Sequence, residues 1–172
     1  WKPLAVPTAA NCVIIPNTTI ISGTNYDAYA KNVTVKSTGL LNLLSSNNLT
    51  VTDWVNIDAG GIFNVKNNGS LIQINNVANT VAGTFNMERI TQPMYKLDYT
   101  YWGSPIMQSS GFTLGSLSSS SSARYTWTPS VRTVRGIWTS SASTSVRVPA
   151  KGSIVRAAVL LAANPSTNVH ST

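Results

Sequence analysis

The sequence contains five carboxylate side chains, which are the first candidates for acid–base catalysis: Asp27, Asp53, Asp58, Glu88 and Asp98. Hydrolysis of a glycosidic bond usually requires two carboxyl groups that lie about 5 to 9.5 Å apart. The closest pair in the sequence, Asp53 and Asp58, would be separated by about 17 Å along an extended strand. Asp27 and Glu88 have no carboxylate partner at the repeat distance derived below. The sequence therefore predicts no catalytic residues and no enzyme activity.

The other nucleophilic or metal-binding side chains are isolated. His170 is the only histidine, and no Ser/His/Asp or Cys/His arrangement can be built around it. Cys12 is the only cysteine, which excludes a disulfide framework and any site made of several cysteines. Because Cys12 precedes the apolar residues 13–15, we expect it to be a small, buried or half-buried hydrophobic residue. We expect no metal and no cofactor.

A basic and aromatic pattern follows later in the chain, where no acidic residue occurs after Asp98. Six basic residues are candidates for a face that binds an anionic ligand or partner: Arg124, Arg132, Arg135, Arg147, Lys151 and Arg156. The aromatic residues interleaved with them are Tyr125, Trp127 and Trp138, of which Trp127 and Trp138 are candidates for stacking against a glycan. In the alternative interpretation the basic residues form a solvated edge without a ligand, and Trp102 and Trp127 are core residues. A nucleic-acid partner is disfavoured because no recognised nucleic-acid motif is present.

The elements that must position these residues are short strands. In the first half of the chain, apolar–polar–apolar triplets alternate with Asn, Gly and Ser, which is typical of half-buried strands separated by turns. A Gly, an Asn and two apolar residues recur every 22 residues, as expected for a repeat architecture. The four columns are Gly39/Gly61/Gly83, Leu41/Phe63/Phe85, Asn42/Asn64/Asn86 and Leu43/Val65/Met87.

The same spacing extends to other positions: Val13 with Val35 and Ile57, Leu49 with Leu71, and Ile21 with Leu43. Three strands in each 22-residue repeat predict a coil of a parallel β-solenoid, with stacked strands about 4.8 Å apart. The apolar columns should fill the interior. The Gly column should mark a corner that needs a positive φ or a close backbone approach, and the Asn column should point outward.

The repeat ends after Asn86, and the remaining sequence predicts further strands and a loop at the five-serine run 118–122. We therefore expect an all-β chain: a short parallel β-solenoid with an N-terminal cap over residues 1–92, then a small, mostly antiparallel β region over residues 93–172 that caps the C-terminal end of the solenoid. Capping is expected because the open edges of a solenoid invite polymerisation. The unfinished pattern after residue 156 suggests a piece cut from a larger protein.

The amino-acid composition also indicates the class of protein. The 172 residues are 42% hydrophobic but only 10% charged, with a net charge of +7, whereas a charged share of about 25% is typical. Ser, Thr, Asn and Gly supply the polarity instead, a pattern more typical of an exported surface protein. No apolar run approaches the roughly 18 residues of a membrane helix, so we expect no membrane insertion.

Several motifs give the chain a family resemblance. The first motif consists of Trp1, the Val-Pro-Thr of residues 6–8 and residues 13–16. It resembles the start of modules in exported Bacteroidota multidomain surface proteins. The Asn/Gly-rich repeats, the YTYWGSP of residues 99–105 and Lys151-Gly152 are similar to those modules as well. The resemblance implies export by the type IX secretion machinery and a location outside the cell or on its surface.

These observations together predict a non-catalytic β-solenoid module that acts as a structural stalk, an adhesin segment or an assembly subunit. Its partners would be other domains of a larger parent chain or identical subunits, and an anionic surface glycan is a further candidate. The alternative is a carbohydrate-binding or carbohydrate-active β-helix module.

Overall fold

The computed structural model describes residues 5–91, 98–103, 113–117, 123–129, 135–146 and 151–156, and the backbone of residues 169–171. Arg132, Arg147, the serine run and most of the C-terminal segment lie outside these residues. The chain divides into two compact units, one formed by Trp1–Arg89 with Ser171–Thr172 and the other by Ile90–His170.

The first unit is a parallel β-solenoid with three strands in each coil, as predicted. The strands in chain order are β1 (Cys12–Ile15), β2 (Thr18–Ile21), β3 (Asp27–Ala30), β4 (Asn32–Val35), β5 (Leu40–Leu43), β6 (Asn48–Val51), β7 (Val55–Ile57), β8 (Ile62–Val65), β9 (Ser70–Gln73), β10 (Thr80–Val81) and β11 (Thr84–Ile90). They form three parallel sheets, with the orders β1-β4-β7-β10, β2-β5-β8-β11 and β3-β6-β9.

The second of these sheets keeps the 22-residue repeat without exception. Leu41 pairs with Phe63, and Phe63 pairs with Phe85. The predicted pairs of Ile21 with Leu43 and of Leu49 with Leu71 are also confirmed. The apolar columns and the Asn column are therefore real ladders, and the hydrophobic pattern of the sequence sets their register.

The first sheet departs from the predicted register in the first coil. Val13 pairs with Val33, and Ile15 pairs with Val35, an offset of 20 residues; the predicted column of Val13 with Val35 was therefore wrong. The turn from β1 to β2 contains two residues, whereas the turn from β4 to β5 contains four, so the first coil loses two positions. Cys12 lies outside the inward set and is exposed, which corrects the prediction that it is buried or half-buried.

The interior of the solenoid is a continuous column of apolar side chains. Leu43, Val51 and Phe63 are fully buried, and the ring of Phe63 contacts that of Phe85 edge to face with a centroid distance of 5.4 Å. Glycine occupies its column because the backbones of adjacent coils approach each other closely there. A Cβ on Gly61 would lie 2.7 Å from the carbonyl oxygen of Lys36 in the preceding coil. Any side chain there would push adjacent coils apart.

The second unit contains β12 (Tyr99–Trp102), α1 (Leu114–Leu117), β13 (Arg124–Thr128), β14 (Ile137–Ser140) and β15 (Ser153–Arg156). The strands form an antiparallel sheet with the order β12-β15-β13-β14. Leu114 and Val155 form a small buried core, and Trp102 packs against it. A short strand, β16, covers Val169–Ser171.

Candidate functional site

One face of the β12–β15 sheet is covered by aromatic side chains. Directly opposed residues of neighbouring strands share a face, and Trp127 is opposite Trp138, Tyr125 is opposite Ile154, and Tyr101 is opposite Ile154. Because residues two positions apart also share a face, five aromatic residues lie on this side. We call this surface the aromatic face: Tyr99, Tyr101, Tyr125, Trp127 and Trp138.

The rings of the aromatic face contact one another and remain partly open to solvent. The ring centroids of Trp127 and Trp138 are 5.2 Å apart, and those of Tyr101 and Trp138 are 6.0 Å apart. Tyr101 is 74% exposed, Trp127 36% and Trp138 37%. Exposed aromatic rings that are held in place by each other are suited to stack against the apolar face of a sugar.

Gly136 lies against the indole ring of Trp127. A Cβ on Gly136 would lie 2.7 Å from Cη2 of Trp127, so the indole occupies the space that a side chain would need. The sequence prediction named Trp127 and Trp138 as stacking candidates and Tyr125 as an aromatic residue beside them, but it missed Gly136, Tyr99 and Tyr101. The alternation in residues 99–102 was the available signal for Tyr99 and Tyr101.

The basic residues predicted for one face are not all on one face. Arg124 is only 9% exposed, because it is opposite Val155 on the side that carries the core of the unit; this corrects its assignment to an exposed surface. Arg156 is opposite Tyr99 and so shares the aromatic face. Lys151 and Arg135 are exposed, and Lys151 lies on the side of Thr126 and Ser153.

The carboxylates of the solenoid each contact a neighbouring coil. Asp58 forms an ion pair with Lys36, and Glu88 forms one with Lys66, both at 3.1 Å. Two further carboxylates accept hydrogen bonds from amides: Asp53 from Asn75 at 2.8 Å and Asp27 from Asn48 at 2.7 Å. These four carboxylates are occupied in holding adjacent coils together.

Within the described parts of the chain, no group of three or more His, Cys, Asp or Glu side chains is placed to hold a metal ion. In the same parts of the chain, no helix has the length and apolar character needed to cross a membrane. Backbone alone is described at His170.

The fold places the chain in the class of all-β proteins built on a parallel β-solenoid. A family model described as a domain of unknown function, DUF8693, matches residues 1–172, and the chain belongs to this family. Searches of curated proteins and of solved structures gave no match.

Proposed function

We propose that this chain is a non-catalytic structural module, a stiff β-solenoid spacer that is displayed outside the cell as part of a stalk, an adhesin or an assembly. The observation that carries the proposal is the use of polar side chains as links between coils. Asn64 Nδ2 donates to Asn42 Oδ1, and Asn86 Nδ2 donates to Asn64 Oδ1, both at 2.8 Å. Such ladders add side-chain hydrogen bonds to those of the parallel sheets and resist bending between coils.

The absence of catalysis is supported by the roles of Asp27, Asp53, Asp58 and Glu88, which are taken up by neighbouring coils. The location outside the cell rests on the resemblance described above and on the low charge content. Antibody labelling of intact cells that produce the protein would test this location. Labelling that an added protease removes supports surface display, and labelling only after permeabilisation contradicts it. Release of reducing ends from a polysaccharide panel would contradict the non-catalytic assignment.

The aromatic face supports a second function, the binding of carbohydrate. Tyr101, Trp127 and Trp138 are exposed and in mutual contact, and aromatic stacking is worth about 0.5–1.5 kcal/mol beyond the burial of area. We expect saturable binding on a glycan array that Trp127→Ala abolishes. Tyr29→Ala is the matched control, since it removes an exposed aromatic ring from the solenoid. Equal loss of binding in both variants would contradict a role for the aromatic face.

A further inference from the structure

The opposite side of the β12–β15 sheet carries a cavity of about 220 Å³. Thr126 is opposite Ser153 on one neighbouring strand and opposite Thr139 on the other, so these three hydroxyls project from the same face. Six hydroxyl side chains line the cavity, and we call it the hydroxyl pocket: Thr126, Thr128, Thr139, Ser141, Ser145 and Ser153.

The wall of the hydroxyl pocket is fixed by backbone hydrogen bonds. The N–H of Leu114, which lines the pocket, donates to the carbonyl of Ser145 at 2.9 Å, and the N–H of Gly115 donates to that of Ser143 at 2.7 Å. Leu114 is also buried in the core of the unit. The pocket is therefore assembled before any ligand arrives, which lowers the entropic cost of binding.

The hydroxyls retain capacity to bind a ligand. Thr126 and Ser141 share one hydrogen bond of 2.7 Å, and Thr128 and Thr139 share a weaker one of 3.4 Å. A hydroxyl offers one donor and two acceptor positions, so one hydrogen atom of the Thr128–Thr139 pair remains free to turn toward the cavity. Ser153 is 5% exposed, and its position opposite Thr126 brings another hydroxyl to the same wall.

The charge of the pocket is positive. Lys151 lines it, no carboxylate side chain is among its described lining residues, and no acidic residue occurs in the sequence after Asp98. Hydroxyl donors together with one ammonium group match the oxygen atoms of an anion, because hydrogen bonds to a charged acceptor are the stronger ones. A neutral sugar would instead favour acceptors among the lining groups, such as carboxylates and amides.

We propose that the hydroxyl pocket binds an oxyanion, either a free sulfate-type ion or the sulfate group of a glycan. Lys151 supplies the charge, and the free hydroxyl hydrogen of the Thr128–Thr139 pair and the hydroxyl of Ser153 supply the hydrogen-bond donors. The aromatic face lies on the other side of the same sheet, so the pocket binds its ligand independently of the carbohydrate stacking proposed above. This proposal assigns anion binding to one lysine in a preformed site, whereas the sequence predicted a broad basic face.

The test is an NMR titration of the ¹⁵N-labelled 172-residue chain at constant ionic strength, with sodium sulfate, galactose 6-sulfate and galactose as separate ligands. We expect saturable shifts of the amides around Thr126, Thr139 and Ser153 with a sulfated ligand and none with galactose. Lys151→Gln and Thr128→Val should each raise the Kd about tenfold, the effect of losing one hydrogen bond to a charged group. Unchanged spectra of the free variants would verify their folding.

Arg135→Gln is the matched control, because it removes an equal charge from an exposed side chain that is not among the residues lining the pocket. If it raises the Kd as much as Lys151→Gln does, the general charge of the unit binds the anion and the proposal is overturned. Absence of saturable shifts with every sulfated ligand, or equal shifts with galactose, also overturns it. Binding of sodium sulfate but not of the sulfated sugar supports the pocket as a site for a free ion. Loss of glycan binding in Trp127→Ala concerns only the aromatic face.

Discussion

The two units of this chain use polar and aromatic residues in opposite ways. In the solenoid, amide and carboxylate side chains bond to residues about 22 positions away, as Asn64 does with Asn42. In the C-terminal unit no repeat supplies such partners, and Tyr101, Trp127 and Trp138 remain exposed on the sheet. Charge follows the same division: residues 1–89 contain five basic and four acidic side chains, whereas residues 90–170 contain seven basic and one acidic.

This difference indicates which unit has side chains available to bind a ligand. A repeat places like residues on top of one another, so a polar side chain in the solenoid finds its partner in the next coil. Asp58 and Glu88 illustrate this, since their lysine partners lie one coil away. In the C-terminal unit the rings of the aromatic face contact one another, and the surface that they leave exposed is available to a ligand.

The largest effect should come from placing a charge in the apolar column of the solenoid. Phe63→Asp puts a carboxylate at a position that is fully buried and surrounded by apolar residues. Loss of the ring alone costs about 3–5 kcal/mol, and burial of an unpaired charge adds to this cost. We expect the solenoid to unfold, as measured by circular dichroism and urea denaturation.

Ile62→Asp is the control for this variant. Ile62 neighbours Phe63 in the sequence but is 37% exposed, because alternation directs it outward. Its replacement should leave the folded state populated. If Phe63→Asp and Ile62→Asp were equally stable, the assignment of the interior column would be wrong.

A smaller effect should follow from interrupting the Asn ladder. Asn64→Ala removes the amide that donates to Asn42 and accepts from Asn86. Each such bond contributes about 1 kcal/mol, so the free energy of unfolding should fall by about 2 kcal/mol. Asn86→Ala removes only the bond to Asn64 and should have about half that effect in urea denaturation. Equal or negligible effects would contradict the ladder as a link between coils.

The solenoid was predictable from the sequence because each interior column repeats its chemistry. Gly61, Phe63 and Asn64 recur at the same spacing in neighbouring coils, and their partners follow from that spacing. The first coil was misplaced at Val13, since the repeat does not reveal that the turn after β1 contains two residues rather than four. Turn lengths depend on local backbone geometry, which a hydrophobic pattern does not record.

The candidate sites of the C-terminal unit were predicted only in part. Trp127 and Trp138 were identified as ligand-stacking residues, but their contact depends on the strand pairing of β13 with β14, which no repeat specifies. Arg124 was grouped with the other basic residues of the acid-free region in one candidate face, yet its register opposite Val155 buries it. The hydroxyl pocket was missed because it combines residues from several strands.

Gly136→Ala would test how far the aromatic face depends on its own packing. The new methyl group would overlap the indole of Trp127, and such overpacking typically costs about 1–3 kcal/mol. Because Trp127 is partly exposed and can move outward, we expect the lower end, about 1 kcal/mol, together with a red shift of tryptophan fluorescence. Gly103→Ala is the control, since a Cβ there meets no atom within 4 Å. The same fluorescence shift in both variants would contradict the contact with Gly136.

The smallest effect should come from the ion pairs between coils, and it separates the two kinds of ladder in the solenoid. Lys36 and Asp58 are 3.1 Å apart, but their side chains are 46% and 43% exposed, so solvent screens their attraction. A double-mutant cycle of Lys36→Met and Asp58→Asn should give a coupling below about 1 kcal/mol. The coupling should fall further in about 1 M salt, where charges are screened over about 3 Å. A coupling above the effect of Asn64→Ala, or one that salt leaves unchanged, would mean that ion pairs rather than amide ladders link the coils, and the contrast with the acid-poor C-terminal unit would then be mainly electrostatic.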